Sequence, residues 1–504
     1  MTAAKGTLQA SLFGWGAVGA VAGLNAAVAL VAFLKDVWLA MYLGTSKEAD
    51  AISLAFFIPD AVGNNLFAAA VGVVCVPLFA RDAERAEAWR RTVAGALLWT
   101  CAAALALFAA LLFAVPRLTE LFAASGSGVD DQLTERLLRI LLPTVLLFPL
   151  GAIGTAGLQS LGKFRRSAAS PLLFNGLFLL SVWGCTLLNV DRAKGVDIVA
   201  WAIVLGVGLS VWLVREPLLE AARQLRRGAG RVPYLQLLLP YLLILLSAQA
   251  VYAVERYLAA SMGLGVVAGL TYAFRLSQFP VWTLIAALTA VLLPALAREN
   301  GDDDRQRATL GRALHYGIFI TLPLGSLLWV YREPVISFLF QRGAFDGRSL
   351  ELTSGIVAGY ALTIPLQAVF LIGLRYFLAR GELRIPVAIT VAGAGMTIGA
   401  DVWLAEQFGP AGLGYAAAIG AAAQAAAMGG LLWKRLGLRS WFAASAAAAA
   451  ANVPPFIAAY ASARAIAAAG PEFWRTAAAG ALYLAAYLII YAGICRSLRR
   501  GVFP

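Results

Sequence analysis

Residues 93–115 read VAGALLWTCAAALALFAALLFAV and contain no charged side chain. About 20 apolar residues in a helix cross the hydrocarbon core of a bilayer, so this stretch predicts a membrane-spanning helix. Similar apolar runs recur along the whole chain and predict an all-α polytopic membrane protein with about fourteen spans, near residues 11–43, 50–80, 91–115, 134–161, 170–189, 195–214, 233–260, 264–296, 309–331, 350–379, 385–405, 411–433, 441–463 and 473–495.

The composition supports this prediction. The 504 residues are 61% hydrophobic and only 13% charged, whereas a soluble domain has about 25% charged residues. A soluble chain needs charge to cover its surface, and a chain solvated by lipid does not.

Basic residues concentrate in every second loop, for example Arg223, Arg226 and Arg227 after the sixth span. The positive-inside rule then predicts an even number of spans with both termini in the cytoplasm of a bacterium, the protein being multi-pass in the inner membrane. The net charge of +13 is divided among many loops. No single patch is dense enough for a nucleic-acid partner, which we do not expect.

The sequence contains few of the residue patterns that are typical of enzymes. Its four cysteines stand singly, so neither a metal site nor a disulfide framework is expected. The one histidine, His315, has no partner a helical turn away, and we expect a structural role for it. Since nucleotide-binding and hydrolytic motifs are missing, we expect a transporter without a cofactor or catalytic residues, driven by the membrane potential or an ion gradient.

An internal repeat relates two halves of the chain. Residues 76–82 (VPLFARD) end the second span, and residues 293–299 (LPALARE) end the eighth. Because six spans separate the two, the halves have the same orientation and predict a pseudo-twofold axis along the membrane normal. The predicted lobes are residues 1–228 and 229–438, and residues 439–504 form an additional helix pair. Its alanine run, Ala443 to Ala451, suits either close helix packing or a lipid-facing groove.

Several charged and polar side chains fall inside the predicted spans, where a charge costs at least about 2.5–3.5 kcal/mol on insertion scales. They are Asn25, Lys35, Asp36, Asp60, Asn64, Asn65, Glu255, Arg256, Arg275, Gln278, Arg375 and Asp401. Adjacent residues point in different directions on a helix, so we do not expect Lys35 to neutralise Asp36, or Arg256 to neutralise Glu255. Cross-lobe pairing and a ligand role are both open for these pairs. Arg375 and Asp401 lie near span ends and suit structural roles.

Arg275 suits function instead, because it lies well inside the eighth span with no acid beside it in sequence. An arginine in a water-filled cavity suits an anionic substrate, above all a phosphate that its guanidinium can grip with two hydrogen bonds.

Three motifs carry a family resemblance. Residues 272–280 (YAFRLSQFP), 333–346 (EPVISFLFQRGAFD) and 375–386 (RYFLARGELRIP) resemble the corresponding segments of the MurJ (MviN) lipid II flippases, within the multidrug/oligosaccharidyl-lipid/polysaccharide exporter superfamily. The resemblance implies a fourteen-helix, two-lobed transporter that moves an undecaprenyl-pyrophosphate-linked peptidoglycan precursor outward by alternating access. It also implies contact with membrane lipids, and cell-wall synthesis enzymes as possible partners.

The resemblance further implies a cavity whose arginines bind the pyrophosphate. Arg275 matches one of these arginines directly, Lys35 stands at a second, and Asp50 matches an aspartate of the family. The chain departs from the pattern at Ala29 and at the amide pair Asn64 and Asn65, where the family has arginines. The predicted substrate-binding set is Lys35, Asp36, Asp50, Asn64, Asn65, Glu255, Arg256, Arg275 and Gln278.

Three alternatives stay open. The chain could flip a different polyprenyl-linked glycan, which the missing arginines favour. It could be a drug or cation antiporter of the same superfamily, which would favour buried acids over arginines. A polytopic glycosyltransferase would need a large outer loop, and the predicted outer loops are short.

Overall fold

A computed structural model describes residues 15–122, 129–228, 234–299, 301–437, 439–468 and 473–499. Among these residues helices cover all fourteen predicted spans, which confirms the all-α polytopic fold. Twelve of the helical segments are long and apolar enough to cross a membrane by length and composition. The segments over the seventh and thirteenth predicted spans are 28 and 30 residues long.

The described chain divides into two compact units. Unit 1 comprises Met1–Gln249 with Gly263–Val267, and unit 2 comprises Ala250–Met262 with Ala268–Pro504. Their helices, in chain order, are α1 (Trp15–Leu43), α2 (Lys47–Pro59), α3 (Ala69–Asp82), α4 (Ala86–Phe122), α5 (Asp131–Leu141), α6 (Thr144–Ser160), α7 (Phe164–Leu187), α8 (Arg192–Leu213), α9 (Arg215–Leu225), α10 (Tyr234–Ser261), α11 (Val266–Pro280), α12 (Ala286–Arg298), α13 (Asp303–Val330), α14 (Arg332–Phe340), α15 (Gly347–Ala379), α16 (Arg384–Phe408), α17 (Pro410–Leu436), α18 (Arg439–Ala468) and α19 (Phe473–Arg499).

Side chains and glycines in the loops explain where several helices begin and end. The carboxylates of Asp130, Asp302 and Asp346 each accept a hydrogen bond from a backbone N–H three residues ahead, and so cap α5, α13 and α15. Gly162 and Gly381 follow the fourth and tenth spans with φ of 74° and 72°. This left-handed conformation favours glycine and ends a helix.

Two π-helical turns interrupt the spans at related places in the repeat. The first turn is Asp60–Ala68, directly after Pro59, and the second is Val281–Ile285, directly after Pro280. Pro59 lies eighteen residues before Pro77 at the end of its span, whereas Pro280 lies fourteen residues before Pro294. The first half thus has four additional residues here, and its π-turn is four residues longer, so the wide turn takes up the insertion.

In unit 1, α1 packs on α7, α7 on α8, and α6 on both α3 and the first π-turn. Gly63 in that turn permits the contact with α6, since a Cβ there would lie 2.9 Å from the Cα of Val145. A larger residue would push the wide turn away from α6.

In unit 2, α15 packs closely on α17 and α13, and α13 also packs on α18. Gly359 of α15 touches the backbone of Gly414 of α17 so closely that an added Cβ would overlap it. Small residues of this kind let membrane helices approach each other.

Polar contacts attach the last two helices to α13. Asn452 donates to Ser326 Oγ at 2.7 Å, Tyr487 donates to the carbonyl of Phe319 at 3.1 Å, and Tyr491 Oη lies 2.8 Å from His315 Nε2. His315 therefore has a partner, Tyr491, on a helix distant in sequence. This contact is consistent with the structural role that we expected for His315. The side of α18 that faces α13 is therefore used for helix packing, which was one of the two alternatives for this alanine-rich helix.

Candidate substrate-binding site

Lys35 and Asp36 form a buried ion pair in unit 1. The Lys35 Nζ lies 2.7 Å from Asp36 Oδ1, and the lysine is 4% exposed. The same Nζ lies 4.8 Å from the centroid of the Phe178 ring on α7. The expectation that these neighbours could not pair is therefore wrong, because the flexible four-carbon stem of a lysine can fold back along its own helix.

Asp50 is fully buried and accepts a 2.6 Å hydrogen bond from the backbone N–H of Gly265. Gly265 has φ of 88°, and a Cβ at that position would lie 2.6 Å from the carbonyl oxygen of Thr45. This contact ties Asp50 to the short loop between α10 and α11. A substrate contact of Asp50 stays a prediction.

Asn64 and Asn65 both bond to Asp60 on the first π-turn. Asn64 Nδ2 donates to one carboxylate oxygen at 2.9 Å, and Asn65 Nδ2 donates to the other at 3.0 Å. A π-helix bonds residue i to residue i+5, so residues four and five positions later both return over residue i. The wide turn thus holds two amides on one carboxylate, an arrangement that a regular helix would not give.

In unit 2, Arg256 and Arg275 are brought into electrostatic contact with each other. Arg275 Cζ lies 5.7 Å from the Trp282 ring, and Arg256 Cζ lies 5.9 Å from the Tyr252 ring. Arg256 also donates to the Tyr252 carbonyl at 3.2 Å. Two adjacent guanidiniums over aromatic rings make a cationic cluster suited to an anion.

Aromatic side chains surround this cluster. The Phe274 ring lies 5.1 Å from Tyr252 and 5.9 Å from both Trp282 and Tyr360, in edge-to-face geometry each time. These rings give the cluster an apolar border on one side. Gln278, one turn beyond Arg275, is 4% exposed.

Two buried acids lie behind the arginines in the same unit. Glu255 is 1% exposed and Asp401 is fully buried, and Asp401 and Tyr360 both interact electrostatically with Glu255. Glu255 Oε2, the Tyr360 hydroxyl and both oxygens of Asp401 find no hydrogen-bond partner among the described residues. Buried carboxylates of this kind are costly unless a cation or proton neutralises them.

Asp401 is the residue that sequence reasoning underrated. We expected a structural role from its place near a span end, whereas the structure places it against Glu255, which is 146 positions earlier. Only the rarity of an acid inside a span could have signalled it. Arg375 bonds to Thr289 Oγ1 at 3.4 Å on α12.

The predicted residues therefore fall into separate groups. Unit 1 holds the Lys35–Asp36 pair, the buried Asp50 and the amides of Asn64 and Asn65; unit 2 holds Glu255, Arg256, Arg275 and Gln278. A joint site for Lys35 and Arg275 stays a prediction.

The chain is similar to known proteins over most of its length. The family profile described as "Lipid II flippase MurJ" matches residues 39–479. A relative from Rhizobium meliloti (strain 1021), named "Probable lipid II flippase MurJ", is 28% identical over 406 residues, which are 77% of this chain and 74% of the relative.

Two solved structures share the fold. "Lipid II flippase MurJ, inward closed conformation" superposes with a TM-score of 0.75 at 19% identity and covers 94% of this chain and 97% of its own. The inward-facing conformation of a multidrug resistance MATE family transporter superposes with a TM-score of 0.69, also at 19% identity, and covers 83% of this chain and 98% of its own.

Proposed function

The chain belongs to the lipid II flippase MurJ family, and from this premise we propose that it carries lipid II, an undecaprenyl-pyrophosphate-linked glycan, from the inner to the outer leaflet by alternating access. The observation that best supports this function is the cluster of Arg256 and Arg275 in unit 2. Arg256 and Arg275 are both half-buried, and charged side chains within a membrane span mark functional sites more often than not.

The chemistry of the cluster suits a pyrophosphate. Each guanidinium presents a planar fork that matches two phosphate oxygens, and charge-assisted hydrogen bonds are about twice as strong as neutral ones. Glu255 beside Arg256 offsets part of the positive charge while no ligand is bound. An anionic headgroup would add its own hydrogen bonds to the two guanidiniums.

Energy would come from an ion gradient through the acids behind the cluster. A cation or proton that binds between Glu255 and Asp401 relieves their repulsion, and Glu255 also interacts with Arg256. Ion binding and headgroup binding are therefore coupled through one shared carboxylate. Each charge that crosses is worth about 2.3 kcal/mol per 100 mV of membrane potential.

One observation favours a second candidate, a flippase for a different lipid-linked glycan. Asn64 and Asn65 hold neutral amides where the resemblance predicts arginines. This change alters contacts in unit 1 and leaves the arginine cluster of unit 2 in place.

Reconstituted vesicles test both candidates. Purified protein should move fluorescent lipid II across the bilayer under an imposed gradient, and it should complement a strain depleted of its own lipid II flippase. Transport of another polyprenyl-pyrophosphate glycan without lipid II transport would favour the second candidate. Transport of cationic drugs alone would exclude both.

We also propose that both chain termini are cytoplasmic. Cys495, in the last helix, should then resist an impermeant maleimide in intact cells, whereas a cysteine at Leu188, which is 78% exposed after α7, should react. The reverse labelling pattern would contradict the orientation given by the loop charges.

A further inference from the structure

A cavity of about 550 Å³ lies within unit 1, among the first π-turn, α3, α6, α7 and α8. Its volume is in the range of small-molecule pockets, about 300–1,000 Å³. Uncharged polar side chains share its wall with apolar ones, and no charged residue lines it among the residues that the structure describes.

Two amides at one side of the cavity are held in fixed positions. The Nδ2 atoms of Asn64 and Asn65 both donate to Asp60, so each side chain retains its carbonyl oxygen as an acceptor. The π-turn that creates this geometry carries the four residues by which the first half exceeds the second. π-turns are frequent at functional sites, since they re-aim side chains at a small cost.

The opposite side of the cavity supplies further hydrogen-bonding groups. Ser170 and Ser210 donate reciprocally to each other's backbone carbonyls, at 3.2 and 2.7 Å, and thereby tie α7 to α8. Gln159 donates to Ser167 at 2.9 Å, and Asn175 donates to the Pro171 carbonyl at 2.9 Å. Each of these side chains retains an acceptor oxygen.

An aromatic corner completes the wall. Phe148 and Phe174 line the cavity and meet edge to face, with ring centroids 6.2 Å apart. Ring faces offer a flat apolar surface. Flat apolar faces beside several fixed hydrogen-bonding groups suit a sugar ring, which has apolar C–H faces and a rim of hydroxyl and amide groups.

Other parts of the substrate fit less well. A pyrophosphate would be desolvated without any cation among the lining residues. An acyl chain would leave the amides and hydroxyls without partners for their remaining lone pairs, and an unmet buried polar group costs about 1–3 kcal/mol.

We infer that this cavity binds a neutral sugar ring of the lipid-linked glycan. This inference rests on the proposed function and names the part of the substrate that unit 1 recognises. It assigns a binding role to Asn64 and Asn65, which stand where the family resemblance predicts arginines.

Binding measurements on the full chain in detergent test the inference with two lipids. Lipid II carries the sugars and their attached peptide, and undecaprenyl pyrophosphate has the same lipid and phosphates without either, so competition by a free disaccharide is needed to separate sugar from peptide. Wild-type protein should bind lipid II more tightly. The double variant Asn64→Leu with Gln159→Leu should raise the Kd of lipid II about ten- to a hundredfold, since it removes two hydrogen-bonding groups, and should leave the Kd of undecaprenyl pyrophosphate unchanged.

Matched controls stand on α7 outside the cavity. Ser181 and Thr186 donate to the carbonyls of Phe178 and Val182, as Asn175 does to that of Pro171. Ser181→Ala and Thr186→Val should change neither Kd. Excess free N-acetylglucosamine disaccharide should compete weakly with lipid II if the sugar itself is recognised, and not with undecaprenyl pyrophosphate.

Each contrary result has a distinct meaning. Wild-type protein that binds neither lipid overturns the proposed function and this inference with it. Wild-type protein that binds both lipids equally overturns the sugar site alone, whatever the folding of the variants. A double variant that weakens both lipids equally, with unchanged thermal unfolding, would assign the cavity to the lipid or phosphate instead.

Discussion

The guanidinium groups of Arg256 and Arg275 lie close enough for their like charges to interact, although the two residues stand on consecutive helices. Each lies against an aromatic ring, Tyr252 and Trp282 respectively. Two cations held together in this way have a standing electrostatic repulsion, which an anionic ligand relieves. This repulsion is the physical basis of the headgroup site that we propose.

Arg275→Ala should abolish lipid II transport in vesicles while the protein remains folded and abundant in the membrane. Arg275→Lys should also lose at least tenfold, because an ammonium keeps the charge but not the two-pronged geometry. Arg332→Ala is the matched control, since Arg332 likewise stacks on a tryptophan, Trp329, at 5.3 Å. Normal transport by Arg275→Ala would remove the cluster from the mechanism.

Asp401→Asn should uncouple transport from the ion gradient and at the same time raise the thermal unfolding temperature. The wild-type carboxylate is fully buried with no hydrogen-bond partner among the described residues. If the substitution raises the free energy of unfolding by about 1 kcal/mol, the midpoint of thermal unfolding should rise by about 2–4 °C. Asp60→Asn should lower it instead, because Asp60 accepts bonds from two amides. A drop in the Asp401→Asn midpoint would show that the carboxylate has a stabilising partner.

Gly359→Ala should destabilise unit 2 by about 1–3 kcal/mol, the usual cost of overpacking. Its methyl group would overlap the Gly414 backbone, which has no freedom to move aside. Gly355→Ala, one turn earlier on α15, should be tolerated because its methyl would lie 3.7 Å from the Ala411 Cβ. Thermal unfolding of the two purified variants compares them directly, and equal midpoints would disprove the close approach of α15 and α17.

Acid should weaken an ionic contact outside the spans. The Lys163 ammonium, hydrogen-bonded to Glu216, lowers the pKa of that carboxyl, and Arg166 at 2.9 Å lowers it further. A carboxyl whose folded pKa is depressed stabilises the fold above its unfolded pKa, and this contribution is lost as the pH falls through the folded pKa. Wild-type protein should thus be more stable than Glu216→Gln at pH 7, and the difference should vanish in acid. A difference independent of pH would show that charge is not its source.

That the chain consists of many membrane-spanning helices could be predicted from the sequence, because membrane insertion depends on local composition. An uncharged apolar run such as residues 93–115 is stable only in the hydrocarbon core of the bilayer, independently of the rest of the chain. Some predicted ends lie close to the observed ones, as at α8, which was expected at 195–214 and runs from Arg192 to Leu213. Others do not, as at the span expected at 91–115, whose helix α4 runs from Ala86 to Phe122.

The site was less accessible to such reasoning because it depends on contacts between distant segments. Asp401 interacts electrostatically with Glu255, which is 146 positions earlier, and no local sequence pattern records that interaction. Lys35 and Asp36 form a pair through side-chain flexibility, which a helical wheel ignores. The π-turns were also missed, since the prolines at 59 and 280 predict a disturbance of the helix but not its kind.

The two π-turns have a consequence for how a repeated protein becomes asymmetric. Two identical halves would favour a ligand with two identical ends. The two ends of a lipid-linked glycan are different. At the corresponding place in each half, one wide turn carries the amides of Asn64 and Asn65 and the other carries Trp282, whose indole supports Arg275. A difference of four residues between two otherwise corresponding turns therefore gives the two halves different side chains at the same place in the repeat.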